Sequence, residues 1–165
     1  MAIVLIILFS SSACQANEAM AWEKLNAEIQ RRFPHSRSLT IEDLRQKLAS
    51  GEPLILIDAR AREEYQVSHL KNAIHLTDPK TVLASYGDGR QPVIVYCSVG
   101  YRSAKMVDQL ARAGMKNVFN LKGSIFEWAN SGYPVYNQAG ITPFVHPFDE
   151  KWGVLLNKNL HRYQP

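Results

Sequence analysis

Apolar positions along the chain follow two periods. Between residues 18 and 33, Trp22, Leu25, Ile29 and Phe33 recur every three or four positions, with Glu23, Lys24, Glu28, Gln30 and Arg31 among them. That spacing predicts an amphipathic helix, which Pro34 ends. A second helix is expected from Thr40, an N-cap with Asp43 three residues on; it carries Ile41, Leu44 and Leu48 inward and stops at Gly51. Leu54-Ile55-Leu56-Ile57, closed by Asp58, is a short run of branched apolar residues without polar alternation. Such a run predicts a strand covered on both faces, as in parallel sheets.

The same alternation of types continues downstream. Ala73 to Leu76 is a weaker strand, Pro79 to Tyr86 a helix, and Gly87-Asp88-Gly89 a turn. Val93-Ile94-Val95-Tyr96 repeats the buried-strand pattern and runs directly into Cys97. Ser103 to Ala113 has Ala104, Val107, Leu110 and Ala111 on one helical face, with Gly114 as its stop. Val118 to Leu121 is a strand, Ile125 to Ala129 a short helix, and Ser131-Gly132-Tyr133-Pro134 closes the unit. Strands alternating with helices predict an α/β domain with a parallel sheet, and right-handed crossovers put helices on both of its faces.

The first residues do not fit that pattern. Ala2 to Phe9 is an unbroken apolar run followed by Ser10, Ser11, Ser12, Ala13 and Cys14. Eight apolar residues are too few to span a bilayer, which takes about 20. They suffice for the apolar region of a signal peptide, and the small residues after them suit a peptidase pocket. The Ser12-Ala13-Cys14 ending resembles a bacterial lipoprotein signal, which makes Cys14 the lipidation candidate; ordinary cleavage after Ala13 or Ala16 is the alternative. Either way residues 1–14 are expected to direct export, to the periplasm and, with a lipid on Cys14, to a membrane anchor. The organisation expected is therefore a signal segment at 1–14, an N-terminal helix at 18–35, a domain at 36–137 and a C-terminal extension at 138–165.

Composition narrows the chemistry. The 165 residues suit one domain with short extensions. The net charge is +4, but no block of Lys and Arg marks a nucleic-acid surface. Two cysteines, Cys14 and Cys97, make no disulfide scaffold, and without a CxxC or a Cys/His cluster no metal site or cofactor is expected.

The segment from Val93 to Ala104 carries the candidate chemistry. Cys97 ends a strand, where open α/β sheets place ligands. A helix follows within about five residues, and Gly100 lets the short connection curl. A curled loop entering a helix turns several N–H groups inward and forms an anion nest. A thiol there has its pKa lowered to about 3.5–7.5, and Arg102 adds a fixed charge and a planar donor fork. An inert packed cysteine would not require Gly, Arg and a helix start directly behind it.

This arrangement resembles the rhodanese family of sulfurtransferases. Leu56-Ile57-Asp58-Ala59-Arg60, then Glu63-Glu64-Tyr65, then Ser68-His69-Leu70-Lys71-Asn72-Ala73 are similar to the family's upstream signature. Cys97 to Ser103 is similar to its Cys-x-x-Gly-x-Arg-Ser loop, and Leu121-Lys122-Gly123-Ser124 through Trp128 to Val135 to its closing segment, with Ser124 where a second glycine is usual. The resemblance covers roughly residues 36–137. It implies a doubly wound five-stranded parallel sheet, with Cys97 as the nucleophile that takes a sulfane sulfur as a persulfide and passes it to a nucleophilic acceptor. Ser98, Val99, Gly100, Tyr101, Arg102 and Ser103 would form the substrate cradle, Arg102 holding an anionic donor such as thiosulfate. Asp58 and Arg60 would brace the loop by ion pairing, and His69 would be a turn residue satisfied by a backbone partner. The expected partners are a small sulfur donor and a thiol or cyanide-like acceptor, with a protein acceptor also open.

Rival readings remain. The cysteine could hold a persulfide or anion as a carrier module, with turnover left to a partner protein. Phosphatases and arsenate reductases of the same fold have a longer His-Cys-x5-Arg loop; here Tyr96 precedes the cysteine and the loop is Cys-x4-Arg, one residue tighter. No Gly-x-Ser-x-Gly elbow or P-loop occurs. A papain-like pair would need His69 or His146 beside Cys97. The tail from Ile141 to Pro165, with Phe144, His146, Phe148, Trp152, Leu155, Leu156 and Leu160, is expected to be a strap packed on the domain, or alternatively a wall of the active site.

Overall fold

The computed structural model describes the backbone of residues 4–165 and the side chains from residue 16 onward. Of the expected signal segment, residues 1–3 lie outside the described residues, and residues 4–14, Cys14 included, are described in backbone only. The chain opens with helix α1 (Val4–Arg32), which begins well before the predicted 18–33 helix. Its apolar stripe is the predicted one: Leu25 and Ile29 are buried, and Trp22 and Phe33 pack beside them. Among the described residues no helix is long and apolar enough to cross a membrane.

Strand β1 (Ser38–Leu39) leads into α2 (Ile41–Ala49) through a reciprocal cap. The Asp43 amide donates to Thr40 Oγ1 at 3.1 Å, and the Thr40 amide donates to the Asp43 carboxylate at 2.8 Å, satisfying two otherwise orphaned donors. Leu44 is fully buried, but Leu48, expected inward, is 44% exposed, on the rim of a surface cavity beside Trp128 and Tyr136.

After β2 (Ile55–Asp58) comes a helix absent from the sequence expectation, α3 (Arg62–Val67). Next are β3 (Ile74–His75), shorter than expected, and α4 (Pro79–Tyr86), whose N-cap is Asp78 with Pro79 at the first helical position. The strand β4 (Val93–Tyr96) is followed by α5 (Tyr101–Arg112), which starts two residues earlier than expected. Then follow β5 (Val118–Leu121) and α6 (Ser124–Asn130). A hairpin of β6 (Val135–Asn137) and β7 (Gly140–Thr142), the short helix α7 (Glu150–Gly153) and a 3₁₀ turn (Lys158–Leu160) complete the chain.

The five strands β1 to β5 form one parallel sheet in the order β1-β5-β4-β2-β3. Strands covered on both faces send successive side chains into two cores. Leu56, Ile94, Tyr96 and Leu121 meet α1, α2 and α6 on one face; Ile57, Val93, Val95 and Val118 meet α4 and α5 on the other. This is the expected α/β architecture of a five-stranded sheet with helices on both sides. The tail is a strap on it: Val145, Leu155 and Leu156 are buried in the first of these cores.

Candidate active site

Cys97 follows the central strand β4, at the carboxyl end of the sheet. Gly100, in the left-handed region at φ 99°, turns the loop into α5. The short helix α6 holds the loop from behind: the amides of Ile125 and Phe126 donate to the Cys97 and Ser98 carbonyls at 3.2 and 3.1 Å. Engaging these carbonyls on the α6 side fixes the loop as it turns toward the sulfur. The Gly100 amide donates to Cys97 Sγ at 3.2 Å, and the Ser103 hydroxyl lies 3.5 Å from it. Residues 101–103 open α5, where a helix has no internal acceptor for its amides.

Cys97 is 1% exposed. Burial pushes its pKa up, but the Arg102 charge, the Ser103 hydroxyl and amide and the Gly100 amide outweigh it, so the thiol ionises below its ordinary value. What the loop places on the sulfur is the Gly100 amide and the Ser103 hydroxyl, with the Arg102 guanidinium near by. Ser124, the departure from a second glycine, takes the left-handed backbone itself at φ 53°. Its hydroxyl accepts from the Cys97 amide at 3.1 Å and donates to the Leu121 carbonyl at 2.9 Å, fixing the start of the loop.

Arg102 is tied to a residue that sequence reasoning did not assign. Its guanidinium donates to both carboxylate oxygens of Glu64, at 2.7 and 2.8 Å, and to Ser98 Oγ at 3.0 Å. Ser98 Oγ in turn donates to Glu64 at 2.9 Å. Burial would raise the Glu64 pKa, but the Arg102 hydrogen bonds and charge and the Ala61 amide bring it below its usual value. The fork of Arg102 is therefore directed at Glu64, while its charge still acts on the thiol. Glu64 comes from α3, the unpredicted helix, and its place in the upstream signature was the one available signal.

Asp58 and Arg60 form a fully buried pair at 2.7 Å. Burial would lower the Arg60 pKa, but the adjacent Asp58 carboxylate outweighs this and raises it. Arg60 also donates to the Ser68 carbonyl and lies over the Tyr96 ring, and Tyr96 accepts from the Leu70 amide at 3.0 Å. The pair thus braces the end of β4, through Tyr96, and the 68–70 turn. His69 stacks on Tyr65, its amide donates to the Tyr136 carbonyl at 2.7 Å and its Nδ1 lies 3.2 Å from the Tyr65 carbonyl, the backbone-satisfied role expected of it. His146 accepts from the Phe148 amide at 3.0 Å. Neither histidine forms a hydrogen bond with Cys97.

Val99 is buried in the core, and Tyr101 packs edge-on against Phe33 while accepting a hydrogen bond from Arg32. With Cys97, Ser98 and Arg102 they line a pocket of about 80 Å³, completed by Phe148 and Trp152 from the tail. The strap is thus also a wall of the site. Among the described residues no three His, Cys, Asp or Glu side chains are grouped as around a metal ion.

Residues 40–131 match the rhodanese-like domain family. The thiosulfate sulfurtransferase GlpE of Coxiella burnetii is 32% identical over 85 residues, half of this chain and 78% of that protein. GlpE of Actinobacillus pleuropneumoniae is 34% identical over 95 residues, 54% of this chain and 83% of that one. The probable adenylyltransferase/sulfurtransferase MoeZ of Mycobacterium tuberculosis is 32% identical over 103 residues, but the chain spans only 26% of its length. Among solved structures, a thiosulfate sulfurtransferase from Pseudomonas aeruginosa aligns over 75% of this chain and 24% of its own, with TM-score 0.60 and 24% identity, a likeness of fold. With more than half of its length matched, from the N-cap of α2 to the end of α6, the chain belongs to the rhodanese-like domain family.

Proposed function

We propose that this protein transfers sulfane sulfur through a persulfide on Cys97. The supporting observation is the sulfur at the end of β4, contacted by the Gly100 amide and the Ser103 hydroxyl and held in the field of Arg102. The thiolate attacks the outer sulfur of a donor such as thiosulfate. A new S–S bond forms at Cys97, the donor's own S–S bond breaks, and sulfite leaves with the electron pair. A nucleophile such as cyanide then attacks the outer sulfur, leaves as thiocyanate and restores the thiolate. The donors that stabilise the thiolate also stabilise the terminal sulfur anion one bond further out. Glu64 and Ser98 keep Arg102 and the loop in place throughout. The GlpE relatives bear the name thiosulfate sulfurtransferase, which supports a small inorganic donor here.

Incubation with thiosulfate and cyanide should yield thiocyanate, and thiosulfate alone should add about 32 Da to Cys97. Cys97→Ser should abolish both; a wild-type rate equal to that of Cys97→Ser rejects this donor–acceptor pair. The apolar run and small residues of 1–14 support placing the activity outside the cytoplasm, with Cys14 lipidated. Intact mass of the protein from its native host tests that placement.

A further inference from the structure

Phe148 and Trp152 lie beyond the region matched to the family and nevertheless close the pocket over Cys97. The strap that carries them is anchored on both sides. Upstream, Val145 is fully buried; its amide donates to the Leu160 carbonyl at 2.8 Å and its carbonyl accepts from Arg162 at 3.1 Å. Downstream, Leu155 and Leu156 enter the core, and Asn130 clasps the chain by donating to the Leu155 carbonyl at 2.8 Å and accepting from the Asn157 amide at 2.9 Å.

Between these anchors Phe148 adopts φ 68°, a left-handed conformation disfavoured for an aromatic residue. Its amide is held by His146, and its ring sits 4.6 Å from the Arg102 guanidinium carbon. Asp149 caps the next turn by accepting from the Trp152 amide at 2.8 Å. Strained backbone fixed by several contacts beside a reactive group points to a role at that group. The space left is about 80 Å³, against 290 and 470 Å³ for cavities elsewhere on the surface.

We propose that Phe148 and Trp152 are a size filter that admits small sulfur donors and acceptors to Cys97 and excludes bulky thiols. The inference rests on the sulfur-transfer reading for its substrates, but steric access to the sulfur can be measured without turnover. The test compares alkylation of Cys97 by iodoacetamide and by pyrenyl maleimide, read by peptide mass mapping and normalised to a free thiol. It also compares sulfur transfer to cyanide and to glutathione. In the wild type the small reagent and the small acceptor should be favoured. Phe148→Ala should narrow both preferences by about tenfold or more, the scale on which pocket shape discriminates. Phe148 is 41% exposed, so its truncation should leave the fold intact; Phe148→Leu and Trp152→Ala provide independent checks.

A wild-type thiol that reacts with the maleimide as readily as the free standard overturns the proposal. So does a preference unchanged in variants with wild-type melting behaviour. Selective alkylation without any thiocyanate or persulfide upholds the filter while rejecting the sulfur-transfer reading.

Discussion

The carboxylate of Glu64 accepts from both terminal nitrogens of Arg102, at 2.7 and 2.8 Å, across 38 residues of sequence. Glu64 is almost fully buried, whereas the Arg102 side chain is one-third exposed. Removing one partner of a buried pair costs about 3–5 kcal/mol, but a guanidinium that reaches water is screened. Glu64→Ala should therefore destabilise the protein by about 2 kcal/mol, measured by urea denaturation. Because the Glu64 pKa is lowered in the folded state, its contribution is complete above the unfolded value of about 4.3 and is lost as pH falls through the folded one. The wild type should lose stability below about pH 4.3 more steeply than Glu64→Gln.

The reactive form of Cys97 is the thiolate, and its pKa is below the ordinary 9.0. Its alkylation by iodoacetamide should therefore persist at pH values where a free thiol is already protonated, and decline only on further acidification. Ser103→Ala removes the hydroxyl on Sγ and should move the midpoint upward. An unchanged midpoint in that variant would show that the hydroxyl does not help hold the charge.

Asp58→Ala leaves Arg60 fully buried without its counter-charge. The expected cost is about 3–5 kcal/mol, visible as a lower urea midpoint or as insoluble protein. Replacing the pair together by Leu and Met should recover much of that loss, since the desolvation of both charges is then avoided.

Gly100→Ala places a Cβ 3.5 Å from the Leu121 carbonyl, an ordinary contact. The cost comes from the backbone, which must hold a left-handed conformation at about 1–2 kcal/mol. A shifted loop also moves the Gly100 amide from Sγ, so the rate of sulfur transfer should fall more than stability does.

Much of this was legible from local pattern. Val93–Tyr96 and Val118–Leu121 are strands at the bounds their apolar runs imply, and Thr40 caps α2 with Asp43 as its spacing implies. Strand β1 escaped because two residues carry no period. Helix α3 escaped because its buried residues are a charged Glu64 and Val67, which mark no apolar face. Cys97, Gly100 and Ser103 could be placed at the site because a strand end, a turn and a helix start lie within seven residues. The Glu64 clamp and the Phe148–Trp152 wall could not, since each depends on a long-range approach that no local spacing records. The 18–33 stripe gave α1 its buried face, while the helix itself runs on from Val4.

The pairing of Ser38 with Asn120 bears on how the chain is made. The first strand of this sheet in chain order is an edge strand that docks on the last one, so the sheet cannot be completed until residue 121 has emerged. Until then Leu39 lacks its partner strand. Such distant contacts slow folding relative to helical bundles of similar length. During synthesis the emerging chain therefore remains open to chaperones well after β2 has been translated.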